Sequence, residues 1–133
     1  VETLETDSFI ETVHKSALVF LTIKDNVTFD VKEMLEAKKF STSLLPDKKI
    51  YLIVIVEGNF NTSKEARELL ANPDYSAHHA AIAVVTKNMG IKLLVQMYIK
   101  VNKPKVDIKL FKNEHEAHKW ISKAIKKHEL ASI

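Results

Sequence analysis

Three short segments carry the side chains best suited to binding or chemistry: Glu57-Gly58-Asn59-Phe60-Asn61-Thr62-Ser63, Thr86-Lys87-Asn88 and Lys112-Asn113. Each follows an apolar run and precedes a helix-like pattern, and Asp25-Asn26 falls at a similar place. In an open parallel sheet such loops converge beyond the C-terminal strand ends, where amides, hydroxyls and helix N-termini receive an anion, a phosphate or a peptide. The first segment is the richest in these groups and holds one of only two glycines. Thr62, Asn88 and Asn113 also have a plainer use, because Thr and Asn are good helix N-caps.

Other chemistries find less support. His115 and His118 stand one helical turn apart, and His78 and His79 are adjacent, but no acid or cysteine joins them at metal-site spacing. The expectation is solvent-facing histidines, no metal and no cofactor. Two glycines, Gly58 and Gly90, cannot supply a nucleophile elbow, a phosphate-binding loop or a dinucleotide fingerprint. With no cysteine, thiolate catalysis, disulfides and cysteine zinc sites are excluded, which suits a reducing compartment. An enzyme is the least supported reading; it would have to use Glu57, Asn59 or Lys87.

The elements that must position these loops read clearly. Phe9 to Val13 and Ala17 to Ile23 form a hairpin pair. Asp30 with Glu33 makes a capping box for a helix whose apolar positions are Val31, Met34, Leu35 and Ala37, expected to fray by Ser41. Tyr51 to Val56 and Ala81 to Val85 are continuous apolar runs, the pattern of strands covered on both faces. Between them Thr62 and Glu65 form a second box, with Ala66, Leu69 and Leu70 as the core stripe and Asn72-Pro73 as the stop. Val106, Ile108 and Leu110 alternate with polar residues, as at a sheet edge. A last helix starts at Asn113 and buries Ala117, Trp120, Ile121, Ala124 and Ile125. The predicted order is ββαβαβαβα over 1–133: one α/β domain, a mixed, mostly parallel sheet of about five strands with about four helices.

The segment Met89 to Val101 exceeds the needs of a helix lying on one sheet. Its apolar side chains cover about 240° of the circumference, against the ~100° stripe such a helix requires. Only Lys92, Gln96 and Lys100 form a polar strip. The surplus points to a covering partner, and the expected self-association set is Leu93, Met97, Tyr98, Lys100 and Val101. A neighbouring helix or an apolar ligand would serve equally.

Composition sets the remaining bounds. Hydrophobic residues make up 46% and charged ones 28%, as in an ordinary globular chain. The net charge of +3 is unevenly spread: Val1 to Asp47 holds five lysines and nine acids, Lys92 to Lys127 ten lysines and three acids. Such polarity favours a second copy or an anionic partner, or is simply a solvated surface. The basic half has few aromatics to stack bases, so no nucleic acid is expected. The acidic start does not resemble a signal peptide, and no apolar run approaches membrane-spanning length, so a cytoplasmic location is expected.

From Tyr51 onward the chain resembles the SpoIIAA-like branch of the STAS (anti-sigma-factor antagonist) superfamily. The likeness lies in the strand Tyr51-Leu52-Ile53-Val54-Ile55-Val56, the short loop into Ser63-Lys64-Glu65-Ala66-Arg67, and Ala80-Ala81-Ile82-Ala83-Val84-Val85. It continues with the apolar helix ending Asn102-Lys103-Pro104, the strand ending Leu110-Phe111, and Glu114-His115-Glu116-Ala117-His118-Lys119-Trp120-Ile121. The resemblance implies a mixed sheet with flanking helices, no catalysis, and recognition of a protein or small ligand at the loop leading into the second helix, Glu57, Gly58, Asn59, Asn61, Thr62 and Ser63, which Thr86, Lys87 and Asn88 adjoin by the strand-end argument above. In anti-sigma antagonists that loop carries a phosphorylatable serine within an Asp-Ser-Ser-Gly-like motif. Asn61-Thr62-Ser63-Lys64 stands there without the Asp and Gly, and makes Ser63 or Thr62 the implied phosphoacceptor. The reading is therefore a non-catalytic regulatory domain acting through a protein partner and a homodimer; the alternative is a sensor or carrier of a small apolar or amphipathic ligand.

Overall fold

In the computed structural model, which describes residues 1–131, the chain opens as an antiparallel meander. Strands β1 (Glu2–Glu5), β2 (Phe9–Val13) and β3 (Leu18–Ile23) pair in turn, placing Glu11 between Leu4 and Leu21. The tight β2 to β3 connection holds Ala17 at φ 72°, in the left-handed region that L-residues rarely adopt. Strand β4 (Val27–Thr28) then leads into helix α1 (Val31–Leu44). The Asp30 capping box forms as expected: Asp30 Oδ1 accepts from Val31 N at 2.8 Å, and Asp30 N donates to Glu33 Oε1 at 2.9 Å.

The remaining elements are β5 (Ile50–Val56), β6 (Phe60–Asn61), α2 (Lys64–Ala71), α3 (Pro73–Ser76), β7 (His79–Val85), α4 (Met89–Asn102), β8 (Asp107–Phe111) and α5 (Glu114–Ala131). The main sheet has the order β1-β2-β3-β5-β7-β8, antiparallel through β3 and parallel from β3 to β8. β4 and β6 pair in parallel as a separate two-stranded ribbon. The mixed, mostly parallel α/β architecture is the one expected, with differences in count. Among the described residues six strands form the main sheet rather than about five, because Glu-Thr-Leu-Glu in β1 is a polar edge strand without an apolar run. Among the described residues five helices stand where about four were expected, since the chain after Asn72 resumes as the single turn α3, with Pro73 at its first position.

Two boundaries also move. α1 continues past Ser41 to Leu44, with the buried Ser41 hydroxyl satisfied by the Ala37 and Lys38 carbonyls inside the helix and reaching His78 Nε2 at 3.1 Å. α2 is capped by Ser63 rather than Thr62: Ser63 Oγ accepts from Ala66 N at 3.1 Å. Alternation divides the sheet into two faces. Leu52, Val54, Ile82 and Val84 look toward α1, α2 and α4, whereas Ile53, Ala81, Ala83 and Val85 look toward α5. Ala81 and Ala83 are small enough to let α5 lie close, with Ala117 and Ile121 fully buried on them.

Candidate ligand cavity

The α1, α2 and α4 face is not closed in the same way. It leaves a partly open cavity of about 170 Å³ whose floor is the sheet, with Leu21 and Ile23 of β3, Leu52 and Val54 of β5, and Ile82 and Val84 of β7. Met34 and Ala37 of α1, Ala66 and Leu70 of α2, and Ile91, Leu94 and Val95 of α4 form the roof. Volume and lining are of the order of an apolar cavity of about 150 Å³ that accepts a benzene-sized guest.

Among the polar side chains buried in these walls, Ser41 and Tyr75 are hydrogen-bonded, and three others each leave an atom unpaired. Glu11 is 2% exposed and its Oε1 makes no hydrogen bond; His79 is 6% exposed with Nδ1 unpaired; Tyr98 is 3% exposed with its hydroxyl unpaired. Buried polar atoms are almost always hydrogen-bonded, so three exceptions around one cavity call for an explanation. Burial alone pushes the Glu11 carboxyl up to about 8, so that it is mostly protonated at neutral pH. Burial, reinforced by His78 and Lys38, pushes His79 down to about 4, keeping it neutral. Tyr98 is pushed up to about 12 by burial. Tyr75 is raised as well, by burial first and by nearby Glu11 second; its hydroxyl donates to the Met34 carbonyl at 3.2 Å, and Lys38 Nζ lies 4.6 Å from its ring centre.

Local structure explains how each group arrives. β2 alternates, so Glu11 must share the inward face with Phe9 and Val13. In β7 the same alternation would send His79 toward α5 with Ala81 and Ala83. A register shift opposite Ile50/Tyr51 inserts Ala80 as an extra residue, and His79 lines the cavity instead. Tyr98 falls on the same helical side as Ile91, Leu94 and Val95.

The loop residues singled out from sequence are brought to one edge, beyond β5 and β7. Their polar groups bind one another. Asn59 N donates to Asp25 Oδ1 at 2.9 Å, Asn26 N to the Asn59 carbonyl at 2.7 Å, and Phe29 N to the Asn61 carbonyl at 2.8 Å. A Cβ at Gly58 would collide with the Asp25 carboxylate and displace it from its bond to Asn59 N. Ser63 Oγ donates to Asp30 Oδ1 at 2.5 Å, pinning the start of α2 to that of α1. Thr86 Oγ1 accepts from Asn88 N, and Asn88 Oδ1 caps α4 through Ile91 N at 3.0 Å. Glu57 and Lys87 are exposed, and Thr62 also lines the cavity.

Two expectations are corrected. His78, His79 and His118 do not face solvent freely: the first is half-buried on Ser41, the second buried in the cavity wall and the third half-buried with its ring 5.2 Å from that of Phe20, although His115 is exposed. Tyr98 leaves the self-association set, because its side chain turns inward. Leu93 (57% exposed), Met97, Lys100 and Val101 (68% exposed) remain on the outer side of α4. Among the described residues no group of three or more His, Asp or Glu side chains is placed to hold a metal ion, and no helix is long and apolar enough to cross a membrane.

A family model described as "Domain of unknown function (DUF7793)" matches residues 12–125, from Thr12 in β2 to Ile125 in α5. The chain belongs to the DUF7793 family. The match begins one residue after Glu11 and takes in His79 and Tyr98. No curated protein matches this DUF7793 chain. Its fold is similar to the crystal structure of an uncharacterized protein of the DUF3478 family, with a SpoIIAA-like fold, from Shewanella loihica PV-4: TM-score 0.56 at 11% identity, covering 89% of this chain and 98% of that one. The SpoIIAA/STAS-like fold expected from the strand and helix motifs is therefore the fold of this domain.

Proposed function

We propose that this domain is a non-catalytic binding module that takes up a small, largely apolar molecule between its sheet and the roof of α1, α2 and α4. The observation that carries this reading is the cavity itself, apolar in its walls and furnished with three buried polar atoms that the protein leaves unpaired. Ligand sites commonly combine an apolar lining with a few convergent polar groups. The experiment is native mass spectrometry of freshly purified protein, followed by a melting series with toluene as an apolar probe. A retained adduct, or a rise in Tm with toluene that Ala37→Phe abolishes while the variant stays folded, supports uptake. No adduct and no shift at saturating toluene would sink it, and turnover of a bound compound would contradict its non-catalytic part.

A second reading, regulation through self-association, is favoured by the exposed apolar side chains Met89, Leu93, Met97 and Val101 along α4. Met97→Glu should then split a dimer without unfolding the domain, as read by native mass spectrometry. A wild-type monomer at micromolar concentration, or a dimer that survives the change, would discard this interface.

A further inference from the structure

Resting on the reading of the cavity as a binding site, we propose that its occupant is an uncharged, single-ring-sized molecule with a donor-acceptor group, such as a phenol or a primary amide, whose polar end meets Glu11 and His79. Size sets the first limit. The cavity is close to the volume that holds one benzene ring, so a single ring is what it can take in whole. Charge sets the second. The titratable groups in the lining are Glu11 from β2, Lys38 from α1, Arg67 from α2, Tyr75 from α3, His79 from β7 and Tyr98 from α4.

Lys38 and Arg67 are half-buried, and Lys38 lies over the Tyr75 ring. Neither forms an ion pair with Glu11. A cation taken inside would thus share the cavity wall with an ammonium and a guanidinium, and would need Glu11 ionised in surroundings that favour its neutral form. An anion would be drawn by Lys38 and Arg67, but it would have to lose its water among apolar walls beside a neutral carboxyl and a neutral imidazole, and that desolvation is the larger effect. An uncharged amide or phenol escapes both penalties. The protonated carboxyl of Glu11 can give and receive a hydrogen bond, His79 Nδ1 gives or receives according to its tautomer, and the Tyr98 hydroxyl does either.

The test uses three flat compounds of one shape and different charge: benzamide, benzoate and benzamidinium, with toluene as the purely apolar control, titrated into the whole protein by ligand-observed NMR. At pH 7 benzamide should bind at least about tenfold more tightly than either charged analogue. Its affinity should fall roughly tenfold between pH 7 and pH 9 as Glu11 ionises. Glu11→Gln should flatten that pH dependence, and Tyr98→Phe should leave it in place. Benzoate or benzamidinium binding as well as benzamide, or a pH dependence unchanged in Glu11→Gln, would overturn the inference while toluene binding keeps the cavity reading. Failure of toluene and benzamide alike would remove the cavity reading itself.

Discussion

On one side of the sheet, Ala81, Ala83, Ile53 and Val85 meet Ala117 and Ile121 of α5, and the small residues let helix and strand backbones come close. On the other, Val54, Ile82 and Val84 face α1, α2 and α4 across a cavity of about 170 Å³ lined by a carboxyl, an imidazole and a phenol that each leave one polar atom without a hydrogen bond. The same three central strands supply both faces. What differs is the roof: α5 is a single long helix in register with alanines, whereas α1, α2 and α4 bridge larger side chains and leave space between them. A close-packed face contributes stability, and a face with unpaired polar groups gives some of it up, which is the arrangement expected where binding takes place.

The sharpest way to probe this contrast is Glu11→Gln. The folded carboxyl holds its proton up to about 8, whereas the unfolded chain releases it near the ordinary value of 4.5. Stability contributed by this group is therefore present below 4.5 and is lost as pH rises toward 8. His79 runs the other way: its contribution is present above 6.5 and lost as pH falls toward 4. The two slopes oppose each other between 4.5 and 6.5, leaving Glu11 to dominate from 6.5 to 8. Glu11→Gln should stabilise the domain by roughly 4 kcal/mol at pH 8 and by almost nothing at pH 4, at about 1.4 kcal/mol per pKa unit. Urea unfolding at the two pH values measures it, and equal effects at both would mean that Glu11 is not held neutral.

A methylene-scale contrast comes next. Ala83→Leu forces three extra carbons between β7 and α5 and should destabilise by about 3 kcal/mol. If it is tolerated, the α5 face is not the tightly packed one. Ser63→Ala removes both the α2 cap and the bond to Asp30, and should cost about 1 kcal/mol. Hydrogen exchange should then quicken in α1 and α2 while α5 keeps its protection; uniform quickening would show that the roof does not open independently. The smallest effect is expected from Val84→Ile, which adds one carbon on the cavity side. It should change stability by no more than about 0.5 kcal/mol and weaken toluene uptake, whereas a loss near that of Ala83→Leu would erase the distinction between the faces.

Much of the fold was legible because its signals are local. The apolar runs Tyr51 to Val56 and Ala81 to Val85, the Asp30 box, the Asn72-Pro73 stop and the Asn113 cap all act within a turn or two of the chain. The loops beyond β5 and β7 were found for the same reason, although their polar groups turned out to cap helices and join α1 to α2. The cavity was harder to see. Glu11 gives a signal, since a carboxyl between Phe9 and Val13 on an alternating strand must share their face, but the pattern Phe9 to Val13 reads equally as the plain first strand of a hairpin. Tyr98 was assigned to the surface because α4 is apolar around most of its circumference, so periodicity alone does not say which side the sheet takes.

The sequence by itself determined the element order, the helix starts and the distribution of apolar strands, because capping, alternation and chain stiffness depend on neighbouring residues. Only the tertiary structure decided which face α5 covers, that the roof over the other face leaves a cavity, and that an extra residue at Ala80 turns His79 into it. Those outcomes depend on how strands and helices far apart in the chain come to rest against one another, and on side-chain volumes summed across several elements, which no local pattern encodes.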